Sequence, residues 1–400
     1  MHPAEEIRGV KSNKLSNKKI ILGITGSIAS VETVKLAREL IRHGAEIIPV
    51  MTESATKIIH PDSLWFATGK KPITHLTGET EHVKYLGKTK KPADLLLISP
   101  CTANTISKIA HGIDDTTITT FATTALGSKT PIIIVPAMHI SMYDHKIIQK
   151  NIKKLKQNNI KIIEPKITGN KAKIANTEEI TANVIQILGK KDLTNKKILV
   201  IGGSSTEKID DVRIITNISS GKTAKYYAKN IFYRNGEIEL WYGQSKEKTP
   251  NYIKTKRFTT INSLKKLIKK TDLKQYDIII ICAALSDYIP EKHNGKISSE
   301  KNKIKIELKK STKIIKEIRK QAPKAKIIGY KLEENKEKIK QKSIKLLKEN
   351  KLNLVIANTK EALDKEENEI WIINKKEKII HKKDNKEKLT NIILDNIIKQ

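Results

Sequence analysis

The chain has 400 residues, of which 38% are hydrophobic, and its 77 basic against 43 acidic residues give a formal net charge of +34. This length and composition predict a globular protein of roughly two or three domains and exclude a disordered chain. The two cysteines belong to no CxxC or Cys/His cluster, and no apolar run reaches the ~20 residues of a membrane span. We therefore expect a reducing, cytoplasmic location, without a disulfide framework, structural zinc or a membrane partner.

The strong positive charge raises the alternative of a basic nucleic-acid-binding protein on a degenerate nucleotide fold. The lysines, however, are spread along the whole chain without an Arg-rich tract or interleaved aromatic residues, and isoleucine and asparagine are abundant too. This pattern favours a compositional background over a dedicated nucleic-acid surface. A positive field also suits small phosphorylated substrates.

Short apolar runs alternate with amphipathic segments, which predicts an α/β protein with parallel sheets. The two halves begin alike, with "NKKIILGITGS" and "NKKILVIGGSS", and each start is followed by a helical pattern and a second strand. We predict a polar tail at residues 1–17 that frays or caps a neighbouring element. Two nucleotide-binding-type domains follow at 18–190 and 191–400, with their boundary in the charged stretch 188–197.

Four strands of the first half end in small or polar residues. In "GITGSIAS" (23–30), Gly26 and Ser27 open a helix whose bare N–H groups favour a phosphate, and the absence of GxGxxG favours a mononucleotide over a dinucleotide. The other strand ends carry Thr52 and Ser54, then Thr102, Ala103, Asn104 and Thr105, and finally Met138 and His139. Because open α/β sheets bind ligands beyond the carboxyl ends of their strands, these residues outline one crevice.

These motifs make about residues 18–165 similar to the flavin-containing cysteine decarboxylases. The resemblance implies a flavodoxin-like fold and FMN as cofactor, which oxidises the cysteine unit to a thioaldehyde so that CO₂ can leave, and then returns the hydride. It also implies an acid/base histidine, and His82 in "EHVKYLG" occupies that position. The residues implied to hold FMN are Gly26, Ser27, Ala29, Thr52, Ser54, Thr102, Ala103, Asn104, Thr105 and Met138.

Two positions depart from that family's pattern. His139 stands where the family has an asparagine that holds the substrate carboxylate, and we assign His139 this role because imidazole donates the same hydrogen bond. The segment 166–179, which matches the substrate clamp of bacterial relatives, contains no cysteine to protonate the intermediate. We do not expect Cys101 to replace it, and Lys171, Lys173 and a bound water stay open as the proton donor.

In the second half, "TNISSGK" (216–222) looks like the end of a P-loop, but Thr216 stands where the P-loop needs its first glycine. The longer stretch "GGSSTEKIDDVRIITNISSGK" (202–222) instead resembles the ligase half of the bifunctional family that joins phosphopantothenoylcysteine decarboxylase to phosphopantothenate–cysteine ligase. "AALSDY", "NGKISS", "IIGYKLE" and "LVIAN" follow in family order and extend the match over nearly all of 195–400. This resemblance implies a Rossmann-like ligase domain.

The resemblance also implies the ligase chemistry. The carboxylate of 4'-phosphopantothenate attacks the α-phosphate of CTP, with Mg²⁺ bridging the triphosphate, and cysteine then displaces CMP from the acyl-cytidylate. Asn217 is expected to polarise that intermediate. Lys345 or Lys348 would replace a family lysine whose ungapped position is Leu346. The residues assigned to substrate and CTP are Ser219, Ser220, Gly221, Lys222, Ala283, Asp287, Lys296, Tyr330, Lys345 and Lys348.

The leading interpretation is an enzyme of coenzyme A biosynthesis. Its second half would make phosphopantothenoylcysteine from 4'-phosphopantothenate and cysteine, and its first half would decarboxylate that product to 4'-phosphopantetheine. A chain in which only one half is active stays open. The resemblance further implies a homo-oligomer, with trimers of the flavin domain and dimers of the ligase domain.

Overall fold

The computed structural model describes residues 1–300, 302–362 and 365–399. The contacts within the chain divide it into two compact units, Met1–Lys190 (the first unit) and Lys191–Gln400 (the second unit). Across the described ranges, every helix is too short or too polar to cross a lipid bilayer.

The first unit alternates strands and helices along most of its length. Its strands are β1 (Lys19–Ile24), β2 (Glu46–Met51), β3 (Leu95–Cys101), β4 (Ile132–Pro136), β5 (Met138–His139), β6 (Lys161–Ile162), β7 (Lys166–Thr168) and β8 (Lys171–Lys173). Its helices are α1 (Pro3–Glu6), α2 (Thr33–Arg42), α3 (Glu53–Thr56), α4 (Pro61–Thr68), α5 (Glu81–Leu86), α6 (Ala103–His111), α7 (Thr117–Ser128), α8 (Ile140–Tyr143), α9 (Lys146–Gln157) and α10 (Thr177–Leu188), with a 3₁₀ turn at Ile28–Glu32.

The main sheet of the first unit is parallel, with strand order β2-β1-β3-β4-β6. Its strands are covered on both faces, and every residue of β3 is buried, which explains their continuous apolar sequences. This strand order is that of flavodoxin-like folds, with its reversal between β1 and β3. The predicted flavodoxin-like fold is confirmed.

The predicted tail, residues 1–17, belongs to the first unit and packs against the rest of it. Its Leu15 side chain is fully buried. The backbone N–H groups of Lys11 and Leu15 donate to the carbonyls of Arg42 and His43 at 2.9 and 2.8 Å. The tail therefore caps the carboxyl end of α2, where carbonyl groups lack helical partners.

A small antiparallel sheet, β5-β8-β7, lies apart from the main sheet of the first unit. Met138 pairs with Ala172, and His139 pairs with Lys171. The segment that matches the family's substrate clamp is thus a hairpin bonded to the strand that carries His139.

The second unit has a larger sheet. Its strands are β9 (Lys197–Gly202), β10 (Thr206–Lys208), β11 (Ile214–Thr216), β12 (Glu237–Tyr242), β13 (Lys254–Arg257), β14 (Ile278–Ile281), β15 (Tyr288–Pro290), β16 (Leu308–Lys310), β17 (Lys326–Leu332), β18 (Leu354–Asn358), β19 (Glu367–Asn374) and β20 (Ile379–Asn385). Its helices are α11 (Lys222–Tyr233), α12 (Ile261–Lys270), α13 (Ile314–Gln321), α14 (Lys336–Glu349) and α15 (Lys386–Ile398), with 3₁₀ turns at Leu273–Gln275 and Lys360–Ala362.

The eight-stranded sheet has the order β13-β12-β9-β14-β17-β18-β19-β20. The strands from β13 to β18 are parallel, and β19 and β20 extend the sheet as an antiparallel hairpin. The parallel part follows the Rossmann order, which reverses between β9 and β14. The predicted Rossmann-like fold is confirmed.

Gly202, the last residue of β9, allows a close approach between strand and helix. A Cβ atom on Gly202 would lie 2.1 Å from the Cβ of Ala224 on α11. Any side chain at this position would push the helix outward, so the glycine fixes where α11 begins relative to the sheet.

We predict that Gly202→Ala lowers the free energy of unfolding of the full chain by about 1–3 kcal/mol, because the added methyl group overpacks the contact with α11. Denaturant unfolding of Gly202→Ala and Gly78→Ala provides the comparison. A Cβ on Gly78 would meet no atom within 4 Å, so that control should keep wild-type stability. Equal stability of the two variants would contradict the close approach.

Candidate functional site

A cavity of about 840 Å³, the first cavity, lies at the carboxyl ends of β1, β3 and β4. These ends flank the β1/β3 reversal, where ligands of such sheets bind. Seven of the residues assigned from sequence line it, namely Gly26, Ser27, Ala29, Thr102, Ala103, Met138 and His139.

The turn at Gly26 rests on the end of the neighbouring strand. A Cβ on Gly26 would lie 2.5 Å from the Ser54 hydroxyl oxygen. That hydroxyl lies 3.0 Å from Thr52 Oγ1, which accepts a hydrogen bond from the Ala55 N–H at 3.3 Å and caps α3. Thr52 and Ser54 do not line the cavity themselves. They support the Gly26 turn, which does.

Hydroxyl groups tie the strand ends together beneath the first cavity. The Ser27 hydroxyl donates to the Ala137 carbonyl at 3.4 Å. Thr25 accepts a hydrogen bond from the Thr102 N–H at 3.0 Å, and its hydroxyl donates to the Pro100 carbonyl at 2.9 Å. Thr25 had no assigned role; its position between the two glycines of "GITGS" is the sequence signal for it.

The hairpin at β7 and β8 forms part of the cavity wall. Lys171 and Lys173, the proposed proton donors, both line the cavity. His139 Nδ1 lies 2.8 Å from the Ser141 hydroxyl and accepts a hydrogen bond from the Ser141 N–H. Cys101 is fully buried, and burial raises the pKa of its thiol far above the ordinary value. It lies at the end of β3 and is not among the residues that line the cavity.

The structure does not bring all the assigned residues to this wall. Asn104 is exposed on α6, and Thr105 is buried beneath it. His82 lies on α5, outside the wall, and its Nδ1 atom is buried with no hydrogen-bond partner among the described residues. A buried ring nitrogen without a partner is costly in a folded protein.

A cavity of about 650 Å³, the second cavity, lies at the carboxyl edge of the eight-stranded sheet. Residues that follow β9 and β14 line it, on both sides of the reversal in strand order. Eight of the residues assigned from sequence belong to its wall, namely Asn217, Ser219, Ser220, Gly221, Lys222, Ala283, Asp287 and Tyr330.

Helix α11 opens at this wall. Gly221 has φ +80°, and a Cβ there would lie 2.1 Å from the Tyr242 hydroxyl oxygen, so the position requires glycine. The N-cap residue Gly221 has no side chain to cap α11, and the Ser220 hydroxyl accepts a long hydrogen bond, 3.4 Å, from the Lys222 N–H. The N–H groups of this first turn suit an anion. Lys222 pairs with the Glu366 carboxylate, whose other oxygen accepts from the Tyr226 hydroxyl at 3.0 Å.

Other contacts position the remaining wall residues. Asn217 Nδ2 donates to the Ala284 carbonyl at 3.3 Å and so connects the end of β11 to the loop after β14. The Tyr330 hydroxyl lies 2.7 Å from the Tyr227 hydroxyl, and burial raises the Tyr330 pKa well above its usual value. Polar wall residues without a sequence assignment are Thr223, Lys313, Lys331, Asn358, Asn368 and Lys386.

Three assigned lysines are not on the wall of the second cavity. Lys345 lies 3.8 Å from Glu349, and Lys348 lies 2.7 Å from Glu377, while Leu346 between them lines the cavity. Their assignment to CTP stays a prediction: in this structure only Leu346 of α14 lies on the wall. Lys296 is exposed. The missed cation is Lys313, 2.6 Å from Asp287.

A buried carboxylate holds the loop that carries Lys296. Asp210 is fully buried and accepts hydrogen bonds from the N–H groups of Val212, Arg213 and Ile297 at 2.8, 2.5 and 3.1 Å, and from the Arg213 guanidinium at 2.7 Å. Burial alone would raise the Asp210 pKa, but these hydrogen bonds hold it well below its usual value. Asp210 lies inside the quoted motif, but no feature of the motif distinguished it as a structural carboxylate.

Comparison with known proteins covers both units. The family model "Flavoprotein" matches residues 9–189, and the model "DNA/pantothenate metabolism flavoprotein C-terminal domain" matches residues 193–400. The "Coenzyme A biosynthesis bifunctional protein CoaBC" of Thermococcus kodakarensis is 43% identical over 94% of this chain and 93% of its own length. The protein of the same name from Methanocaldococcus jannaschii is 41% identical over 94% of this chain and 93% of its own length.

The solved structure of the DNA/pantothenate metabolism flavoprotein from Streptococcus pneumoniae matches 50% of this chain and 98% of its own, with 24% identity and a TM-score of 0.46. The relatives with more than 40% identity and the two family models together confirm the resemblance seen in the motifs. They favour the enzyme interpretation over a nucleic-acid-binding protein. The chain belongs to the family of bifunctional coenzyme A biosynthesis proteins.

Proposed function

We propose that the second unit ligates 4'-phosphopantothenate to cysteine with CTP and Mg²⁺, and that the first unit, with FMN, decarboxylates the resulting phosphopantothenoylcysteine to 4'-phosphopantetheine. One observation carries the proposal. In each unit, a majority of the residues assigned from sequence, seven in the first and eight in the second, line a single cavity at the strand-order reversal. The family of the chain supports both activities.

The residues of the first cavity fit a flavin. The Gly26 turn excludes a side chain, the Thr102-capped α6 begins beside it, and Ile28, Val31 and Met142 provide apolar wall. FMN, when bound, supplies the electron sink that takes up and returns a hydride during decarboxylation. The small residues and helix starts suit its phosphate, and the apolar side chains suit its ring.

The protein's own groups then position substrate and move protons. His139 Nδ1 accepts from the Ser141 N–H, so in this tautomer Nε2 carries the hydrogen that can hold the substrate carboxylate. His82, with its unpartnered Nδ1, is the acid/base group. Lys171 and Lys173 on the hairpin, which line the cavity, and a bound water are the candidates to protonate the intermediate left after CO₂ departs.

Within one chain, His82 lies outside the wall of the first cavity. We therefore propose that His82 of one copy of the chain reaches the first cavity of a second copy. The apolar side chains of Ile28, Val31 and Met142 on that wall are 78%, 49% and 48% exposed. Such exposure on a monomer is typical of a surface that another molecule covers. This supports the homo-oligomer implied by the resemblance.

In the ligase reaction, a carboxylate oxygen of 4'-phosphopantothenate bonds to the α-phosphorus of CTP, and pyrophosphate leaves. The cysteine nitrogen then bonds to the acyl carbon, the acyl C–O bond breaks, CMP leaves, and the nitrogen loses a proton to solvent. The amino end of α11 and Lys222 would hold the phosphates, and Mg²⁺, when bound with CTP, would neutralise part of their charge. Asn217 donates to the acyl oxygen as negative charge develops there.

We predict that His82→Asn accumulates phosphopantothenoylcysteine, since proton transfer by a positioned side chain contributes about 10²–10⁴-fold to rate. Product analysis by mass spectrometry measures this accumulation, and visible absorbance of the purified protein reports the bound flavin. The control His60→Asn changes an exposed histidine that caps α4, and it should behave as wild type. Normal 4'-phosphopantetheine formation by His82→Asn would contradict the role of His82.

For the ligase site, we predict that Asn217→Asp slows formation of phosphopantothenoylcysteine by about 10²–10³-fold, because a charged carboxylate replaces a neutral donor to the developing oxyanion. Pyrophosphate release in the first turnover should persist, so the acyl-cytidylate accumulates. Quenched-flow product analysis measures both steps. The matched variant Asn262→Asp, exposed in the first turn of α12, should leave both unchanged. Loss of pyrophosphate release in Asn217→Asp would contradict the assignment.

Of the lysines assigned to CTP, Lys222 lines the second cavity, whereas Lys345 and Lys348 do not. We predict that Lys222→Ala raises the KM for CTP at least about tenfold, as expected for the loss of one charge-assisted hydrogen bond to a phosphate. Lys345→Ala and Lys348→Ala should have smaller effects, because neither side chain lines the second cavity, whereas Lys222 does. Steady-state kinetics tests the order, with the exposed Lys266→Ala of α12 as control. A larger effect at Lys345 or Lys348 would restore the interpretation from sequence.

A further inference from the structure

Asn368 on β19 is a buried polar residue whose side-chain oxygen makes no hydrogen bond to the described part of the chain. The residue is 6% exposed and lines the second cavity. Its Oδ1 atom has no hydrogen-bond partner among the described residues. Buried carboxamides are normally hydrogen-bonded, because an unpaired oxygen loses its water without compensation. An unpaired acceptor on a ligand cavity is therefore a candidate contact for the ligand.

The wall around Asn368 restricts which ligand group this oxygen can take. The wall also carries the ammonium groups of Lys222, Lys331 and Lys386 and the amino end of α11, which donate hydrogen bonds and suit phosphates and carboxylates. The Asp287 carboxylate on the same wall pairs with the Lys313 ammonium at 2.6 Å. The Asn368 oxygen only accepts, and phosphate oxygens placed against it would be repelled. It requires a donor, and an amino group is the donor that the ligase reaction needs.

We propose that the Asn368 carboxamide oxygen accepts a hydrogen bond from the α-amino group of cysteine and so forms the subsite for the nucleophile of the ligase reaction. This inference rests on the ligase function proposed above. Lys386, also 6% exposed and on the same wall, complements the α-carboxylate of the same amino acid. Lysines nearby also disfavour the ammonium form of the amine, and only the neutral amine attacks the acyl carbon.

The test uses Asn368→Leu, which removes the acceptor while keeping a side chain of similar size, and Asn368→Asp, which keeps an acceptor oxygen. We expect Asn368→Leu to raise the KM for cysteine about tenfold or more, the effect of one lost hydrogen bond. The KM values for CTP and 4'-phosphopantothenate should stay within about twofold, and pyrophosphate release without cysteine should be unchanged. Asn368→Asp should keep the KM for cysteine within about threefold of wild type.

Stability provides a second readout. Asn368→Leu should melt at or above the wild-type temperature, because it removes an unpaired buried oxygen. Ser343→Ala is the matched control: the Ser343 hydroxyl is fully buried and unpaired among the described residues, but it lies away from the cavity wall. That variant should keep every KM. A clearly lower melting temperature for Asn368→Leu would show a structural partner for the oxygen and overturn the premise.

Two kinetic outcomes for Asn368→Leu would contradict the proposed cysteine subsite. One is an unchanged KM for cysteine. The other is a raised KM for CTP with an unchanged KM for cysteine, which would assign the Asn368 oxygen to the nucleotide. The wild-type reaction distinguishes failure of the proposed cysteine subsite from failure of the proposed ligase function. Absence of phosphopantothenoylcysteine from wild type, CTP, cysteine and 4'-phosphopantothenate contradicts the ligase function itself. Normal product with an unaffected Asn368→Leu contradicts the subsite alone.

Discussion

Both cavities depend on one constraint, the reversal of strand order in a parallel sheet. Because crossovers between parallel strands are right-handed, strands added on opposite sides of the first one place their helices on opposite faces. A crevice then opens between β1 and β3 in the first unit, and between β9 and β14 in the second. The glycines at the strand ends, Gly26 and Gly202, let a turn or a helix come close to that crevice.

The chemistry of each crevice follows from what the strand ends carry. In the first unit they carry small residues and hydroxyls above an apolar wall, which suits a flat ring with a phosphate. In the second unit they carry amides, lysines and an open helix end, which suit several anionic groups bound together. The net charge of +34 is thus compatible with small phosphorylated substrates. The bifunctional family of the chain brings these two kinds of site together in coenzyme A biosynthesis.

Sequence predicted the residues that follow a strand directly, because periodicity locates the strand and the sheet fixes where its carboxyl end lies. Gly26 and Ser27 are of this kind. Asn217 and Gly221 rest instead on the motif shared with the ligase family, because no buried apolar strand runs straight into "TNISSGK". Sequence could not predict Asn368, since β19 joins the sheet as an antiparallel strand whose register decides which side chains reach the cavity. The side chains of α14 show a similar limit: one position along the helix separates Leu346, on the wall, from Lys345, which pairs with Glu349.

Incubation of the purified wild-type protein with 4'-phosphopantothenate, cysteine, CTP and Mg²⁺, followed by quantification of all products, tests whether one chain performs both reactions in sequence. If it does, we expect equal molar amounts of CMP, pyrophosphate, CO₂ and 4'-phosphopantetheine. Formation of CMP and pyrophosphate with phosphopantothenoylcysteine as the final product, or no CTP-dependent product at all, would contradict it.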